Sequence, residues 1–306
     1  MKTILFILFS VGTLFSMEPI TPISVPVSLD NKKVKLGEKL FFDTRLSRDN
    51  TIACVSCHNL QEGGDDNLQY SFGINRQEGN MNSPTVLNAV NNFRQFWDGR
   101  AKNLQEQAAG PIENPIEMGF SFKKLIPKLE NTEYKKLFAA VYKEGITKNS
   151  ITDAIAEYEK SLVTPNAPFD KYLKGDTQAI SQEQKDGYEL FKSKGCISCH
   201  HGVNLGGNLY SKFGVIEDSK TNSFGRYNVT HKKRDMYYFK VPSLRNITLT
   251  SPYFHDGRTD SLKEAIEIMS QLQLGRHFTK EEVDKIEAFL RSLEGEIPKG
   301  RDIDVP

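Results

Sequence analysis

Two short strings hold the side chains best suited to chemistry: Cys54-Val55-Ser56-Cys57-His58 and Cys196-Ile197-Ser198-Cys199-His200. Between them they use all four cysteines of the 306-residue chain, leaving none for a disulfide. Two thiols three positions apart with histidine directly after them suit covalent attachment of a c-type haem, with two thioethers and one axial imidazole. A Cys-x-x-Cys pair alone could be a redox dithiol or half of a zinc site. Zinc would need both pairs packed into one tetrahedral site, although they lie in opposite halves of the chain. The repeated histidine favours two covalent haems, bound through Cys54, Cys57, Cys196 and Cys199, with His58 and His200 as iron ligands.

Haem iron has a second axial position, and the two motifs differ in what could fill it. Downstream of His200 stand Met236 and Met269; a thioether there raises the reduction potential and closes the iron to substrate. Met236 lies in the charged stretch "KKRDMYYFK", which reads as loop. Met269 shares an inward helical stripe with Leu262 and Ile266. Such a methionine is ordinarily packing, but a haem that needs a sixth ligand favours Met269. No histidine lies between His58 and His200, and the first half offers only Met81 and Met118 as thioethers. Met81, in "GNMNSPT", reads as a loop residue without an iron role. Either another side chain binds the first iron or the position stays open for a substrate. Glu117 and Gln107 then become relevant. A carboxylic acid can move a proton from the inner to the outer oxygen of a peroxide, and an amide can stabilise charge that develops as the O–O bond breaks.

The elements that must position these groups occur twice. Gly37-x-x-Leu40-Phe41 precedes the first motif and Gly187-x-x-Leu190-Phe191 the second. "PTVLN" (84–88) parallels "PSLRN" (242–246), each followed ten residues after its Asn by Asp-Gly-Arg, at 98–100 and 256–258. Each half closes on an amphipathic helix. One carries Ile151, Ile155, Tyr158 and Leu162, with Ser150 and Asp153 as its expected cap. The other carries Val283, Ile286, Phe289 and Leu293, with Thr279 and Glu282 as capping box and Gly295 as stop. Strand signals are sparse, so the expected class is all-α: two c-type cytochrome domains related by internal repeat, each with one covalent haem, over 17–164 and 165–297. Pro165 and Pro168 mark the boundary. A polar tail, 298–306, is expected to pack on the surface.

The opening "MKTILFILFSVGTLFS" has one lysine and then an apolar run too short to span a bilayer, and reads as a signal peptide, 1–16, for export. Losing Lys2 with it leaves basic and acidic residues balanced at 39 each, which argues against nucleic acid as a partner. The full chain is 26% charged and 38% hydrophobic, which reads as a globular protein, and nothing after the signal segment reads as a membrane span. His231-Lys232-Lys233-Arg234 reads as a solvated loop, and His201 and His277 as surface residues.

From Lys35 to Leu293 the chain resembles the bacterial di-haem cytochrome c peroxidases. The likeness rests on "CVSCHNL", "GGDDNL", "NSPTVLNAV", "QFWDGRAKNLQEQAAGPIENPIEMG", "YYFKVPSLRNITLTSPYFHDGR" and "IMSQLQLGR". The resemblance implies a low-potential peroxidatic haem on His58 and a high-potential haem on His200 and Met269 that accepts electrons from a small donor such as a monohaem cytochrome c. It implies that Gln107 and Glu117 form the distal pair, with Glu117 the acid–base residue, and that Trp97 lies between the haems. It further implies a calcium ion bound by Asn82 and the carbonyls of Thr250 and Pro252, a homodimer, and a periplasmic location. One departure stands out. The family usually has a histidine after Ser-x-Gly that caps the resting peroxidatic iron; here Ser71-Phe72-Gly73 is followed by Ile74, which has no lone pair. The expected activity is reduction of hydrogen peroxide to water without reductive activation, the first iron being five-coordinate or water-bound when oxidised. Met81 or a loop lysine is the alternative ligand. Two other functions stay open: a non-catalytic di-haem electron carrier, and a peroxide-dependent oxidase of a partner protein, whose relatives carry tyrosine at the position of Met269. His255, at the repeat position of Trp97, is expected to be hydrogen-bonded between the halves.

Overall fold

Local sequence determines where each helix begins. In the computed structural model, which describes residues 18–26 and 28–298, Asp30 caps α1 (Asn31–Phe41) by accepting the amides of Lys32 and Lys33. The expected signal segment 1–16, and all of the expected tail except Pro298, lie outside the described residues. Asn103 caps α2 (Leu104–Glu113) through the Glu106 amide. There follow α3 (Phe122–Glu130), α4 (Tyr134–Ala139), α5 (Lys148–Ser161), α6 (Pro168–Leu173), which opens on proline, and α7 (Gln182–Ser193). A short strand β1 (Tyr210–Lys212), helix α8 (Tyr227–Thr230) and strand β2 (Tyr238–Lys240) precede α9 (Leu262–Leu274) and α10 (Lys280–Arg291).

The molecule is mostly helical. Its sheet among the described residues is the antiparallel pair β1–β2, with Ser211 opposite Phe239. Part of "KKRDMYYFK", expected as loop, is therefore strand: Tyr238 and Phe239 have aromatic side chains that fit a pleated, half-buried surface. Two further expectations are corrected. The cap of α5 is Thr147, whose hydroxyl takes the Ser150 amide while Ser150 returns a bond to the Thr147 amide, so Ser150 and Asp153 lie inside the helix. Gly295 does not stop α10, which ends at Arg291; a Cβ on Gly295 would lie 2.0 Å from the Thr164 carbonyl oxygen, so close packing requires glycine there. The Thr279–Glu282 capping box is present as expected.

Residues matched by the sequence repeat make matched contacts. Helix α1 crosses α5 where a Cβ on Gly37 would lie 1.9 Å from the Ala154 carbonyl oxygen. Helix α7 crosses α10 in the same way, with Gly187 equally close to the Lys285 oxygen. Phe41 meets Tyr158 edge-on in the first crossing, and Phe191 meets Phe289 in the second. All four rings are buried, each contributing about 1.5–3 kcal/mol. Asn88 and Asn246 both adopt left-handed backbone, and both amides donate to Thr164 Oγ1 at 2.8 Å. The halves also reach across to each other reciprocally. The Asn82 amide donates to the His255 carbonyl at 2.9 Å, and the amide of its repeat counterpart, Lys240, donates to the Trp97 carbonyl at 2.8 Å.

One fully buried ion pair ties the second half together. Arg245 Nη1 lies 2.7 Å from Asp170 Oδ1 with both side chains at 0% exposure. Arg245 also donates to the carbonyls of Val203 and Thr21.

Candidate active site

Each Cys-x-x-Cys-His string forms a single tight turn that begins on its first cysteine. The His58 amide donates to the Cys54 carbonyl and the His200 amide to the Cys196 carbonyl, both at 3.0 Å. Each imidazole is then oriented through Nδ1, which lies 3.2 Å from the Gly64 oxygen for His58 and 3.0 Å from the Leu205 oxygen for His200. That leaves each Nε2 as the free lone pair, the arrangement an iron-binding histidine needs. Burial favours the neutral form of both rings, pushing His200 down to about 4.

The two motifs open into adjoining cavities. The first, of about 460 Å³, has Cys54, Cys57 and His58 in its wall together with Gln107, Glu117 and Trp97. The second, of about 170 Å³, has Cys196, His200 and Met269 in its wall. Met236 sits in the turn before β2 and does not line it. Cys54 and Cys57 line the first cavity and Cys196 the second, and no cluster of three or more His, Cys, Asp or Glu that could hold a metal, a four-ligand zinc site included, occurs among the described residues. Buried Ser71 Oγ and Glu159 Oε2 in the first wall, and Asp65 Oδ1 in the second, lack hydrogen-bond partners. Thiols, a poised imidazole and orphaned polar atoms around a void suit a covalently held haem in each half.

Trp97 lines both cavities. Its Nε1 donates to the Asn82 carbonyl at 2.9 Å, and its ring meets His255 edge-on, with centroids 6.2 Å apart. His255 is buried, stacks on Phe239 and shares a 2.6 Å bond between Nε2 and Thr221 Oγ1. His277 and the segment His231–Arg234 are exposed as expected, whereas His201 is half-buried, its Nδ1 3.2 Å from the Ile197 oxygen.

Glu117 follows the end of α2, whose residue Gln107 lines the same cavity. Burial pushes its carboxyl above the usual range. A 2.5 Å bond donated by Asn114 and the charge of Arg100 act against that shift by favouring the ionised form. Sequence reasoning gave neither Asn114 nor Arg100 a role; Asn114 stands three residues before Glu117, and Arg100 was visible only as the last residue of the repeated Asp-Gly-Arg. Met118 is 2% exposed within the core of the first half and also lines the first cavity. Met81 is half-buried and lines the first cavity, so its side chain is closer to the site than a plain loop residue.

Ile74 is fully buried, its amide bonded to the Glu117 carbonyl at 2.8 Å. It packs on Gly119, where a Cβ would come within 2.4 Å of Ile74 Cδ1, and it does not line the cavity. Asn82, Thr250 and Pro252 all line the second cavity; Asn82 Nδ2 donates to the Leu68 carbonyl, which leaves Oδ1 available. No helix among the described residues is long and apolar enough to cross a membrane.

A family model described as di-haem cytochrome c peroxidase matches residues 31–178. The chain is 47% identical over 295 residues to the cytochrome c551 peroxidase of Nitrosomonas europaea, across 94% of this chain and 88% of that protein. It is also 47% identical over 285 residues to the cytochrome c peroxidase Ccp of Escherichia coli, across 91% of this chain but 61% of that protein. A crystal structure of a MauG-like protein associated with microbial copper homeostasis superposes with a TM-score of 0.79 at 26% identity, covering 93% of this chain and 95% of that one. Similarity of this degree along nearly the whole chain, on a mostly helical frame with two cavities each walled by a Cys-x-x-Cys-His turn, means that the chain belongs to the di-haem cytochrome c peroxidase family.

Proposed function

We propose that the chain is an exported, periplasmic di-haem peroxidase that reduces hydrogen peroxide to water with electrons from a small donor protein such as a monohaem cytochrome c. In this reading it has two c-type cytochrome domains, 17–164 and 165–297. The observation that carries it is one cavity walled by His58, Gln107 and Glu117 and joined through Trp97 to a second walled by His200 and Met269. The haems, when bound, supply the redox chemistry.

The chain's own groups do the rest. Glu117 accepts a proton from one peroxide oxygen and returns it to the other, so that water leaves as the O–O bond breaks. Gln107 donates a hydrogen bond to the charge that develops. Two electrons and two protons convert one hydrogen peroxide into two waters. Met269, with His200, would hold the second haem, and Trp97, which lines both cavities, stands on the path that electrons would take. Asn82 Oδ1 and the carbonyls of Thr250 and Pro252 are hard oxygen donors suited to one calcium ion. Assembly as a homodimer completes the reading.

Ile74 has no lone pair with which to hold the first haem, so in this reading activity would need no prior reduction. Steady-state peroxide reduction with reduced cytochrome c tests the activity; absence of turnover would leave only an electron carrier. Electron paramagnetic resonance of the fully oxidised protein tests readiness. A high-spin ferric component is expected, and two low-spin signals without one would refute it, with Met81 the first residue to examine as ligand.

A further inference from the structure

The two cavities differ at a pair of positions that the repeat makes equivalent. Asn82 in the first half is neutral; its counterpart, Lys240, is a cation at the end of β2. Lys240 is 5% exposed and lines the second cavity, alongside Cys196 and His200, but not the first. No carboxylate lies within ion-pairing distance of its ammonium among the described residues. Burial favours the neutral amine, pushing its pKa down to about 8. Taking an ammonium out of water without a partner costs several kcal/mol, so such a group is ordinarily found with an anion. The Lys240 backbone is also fixed, its amide donating to the Trp97 carbonyl at 2.8 Å.

We infer that Lys240 anchors the haem of the second cavity by binding one of its propionate carboxylates, and that this raises the reduction potential of that haem. Haem is an anionic cofactor only through its two propionates, so these supply the charge that Lys240 lacks. Partial neutralisation of a propionate makes the ferric form harder to keep, because it removes negative charge that stabilises it. In the first cavity the equivalent position is the neutral Asn82, and the cation in that wall, Arg100, is exposed and already paired with Asp98 at 3.1 Å, so the effect separates the two centres. Lys240 is thus a positioning residue and not a catalytic one.

The inference rests on haem binding at Cys196, Cys199 and His200, and the test separates the two claims. Haem content of the purified full-length protein is measured first; one haem per chain, held only in the first half, would overturn the binding reading and the inference with it. With two haems present, each midpoint potential is followed by optical titration in wild type, Lys240→Met and Lys240→Arg. Lys240→Met is expected to shift the second haem's reduction equilibrium at least tenfold toward the ferric form, 59 mV for a one-electron couple, and to leave the first unchanged. Lys240→Arg keeps the charge and should restore the value to within threefold. An unchanged second potential in Lys240→Met, or equal shifts at both haems, would overturn the inference.

Discussion

Replacing Glu117 by glutamine keeps the shape of the side chain and its hydrogen bond to Asn114 but removes the group that carries the proton. General acid–base catalysis contributes about 10²–10⁴-fold in rate, or roughly 3–5.5 kcal/mol of barrier at 1.36 kcal/mol per tenfold. The expected result is a fall of that size in kcat for peroxide, with haem content and second-haem potential unchanged. The structure adds a second arm. Glu117 must be ionised to accept the first proton, so its pKa sets the acid limb of the pH profile. Burial raises that pKa, and the 2.5 Å bond from Asn114 holds it down. A hydrogen bond to a charged group is worth about 1.5–3 kcal/mol, so Asn114→Ala should move the acid limb up by roughly one to two pH units. Activity falls at the acid end and survives at the alkaline end. Steady-state rates across pH with reduced cytochrome c as donor provide both readings. A Glu117→Gln enzyme within threefold of wild type would refute the reasoning, as would an Asn114→Ala enzyme with its acid limb in place.

Three further outcomes follow from packing and burial. Asp170→Asn strands the buried Arg245 guanidinium and should cost about 3–5 kcal/mol of stability, read as a lower denaturant midpoint of the haem-loaded protein; an unchanged midpoint contradicts it. Gly187→Ala places a methyl 1.9 Å from the Lys285 oxygen and must push α7 off α10, costing about 1–3 kcal/mol or more, and Gly37→Ala should act alike between α1 and α5. Glu159 is pushed up to about 8 by burial, so the folded state keeps a proton that the unfolded chain releases above about 4.3. Its contribution is complete below that value and is lost as pH rises toward 8, at up to about 1.4 kcal/mol per pH unit; Glu159→Gln should flatten that slope in chemical unfolding, and an identical slope would argue against it.

What the sequence disclosed was whatever has a fixed spacing. The Cys-x-x-Cys-His strings, the Thr279–Glu282 cap and the stripe Val283, Ile286, Phe289 and Leu293 could all be read because the covalent chemistry or the helical period dictates their intervals. The cap of α5 was misplaced by three residues because Thr147 and Ser150 bond each other reciprocally, so each resembles an N-cap in a string of letters. Strand β2 was hidden because three residues are too few to show alternation. Within the site, Glu117 was visible as a carboxylate but Asn114 was not, since the bond between them depends on how the chain turns after α2. The burial of Ile74 beneath Gly119 could not be read either, because it is a contact between two loops.

The repeat places two unlike cavities on one frame. Matched glycines set the same helix crossing in each half, and matched asparagines meet at Thr164, so the backbone repeats one frame around two cavities. Difference therefore has to come from side chains at equivalent positions. Where α5 presents Glu159 to the first cavity, α10 presents Leu290 to the second. Where the first half has Asn82, the second has Lys240, and where the first has Trp97, the second has His255. The first cavity gathers groups that can hold or pass a proton, Glu117 and Glu159 among them, while the wall of the second is mostly apolar around Met269. A proton-handling pocket suits a centre that breaks an O–O bond, and a mostly apolar one suits a centre that only passes electrons. Exchanging Glu159 for leucine would make that wall of the first cavity resemble the second without touching the helix crossing, since the crossing depends on Gly37 and not on residue 159.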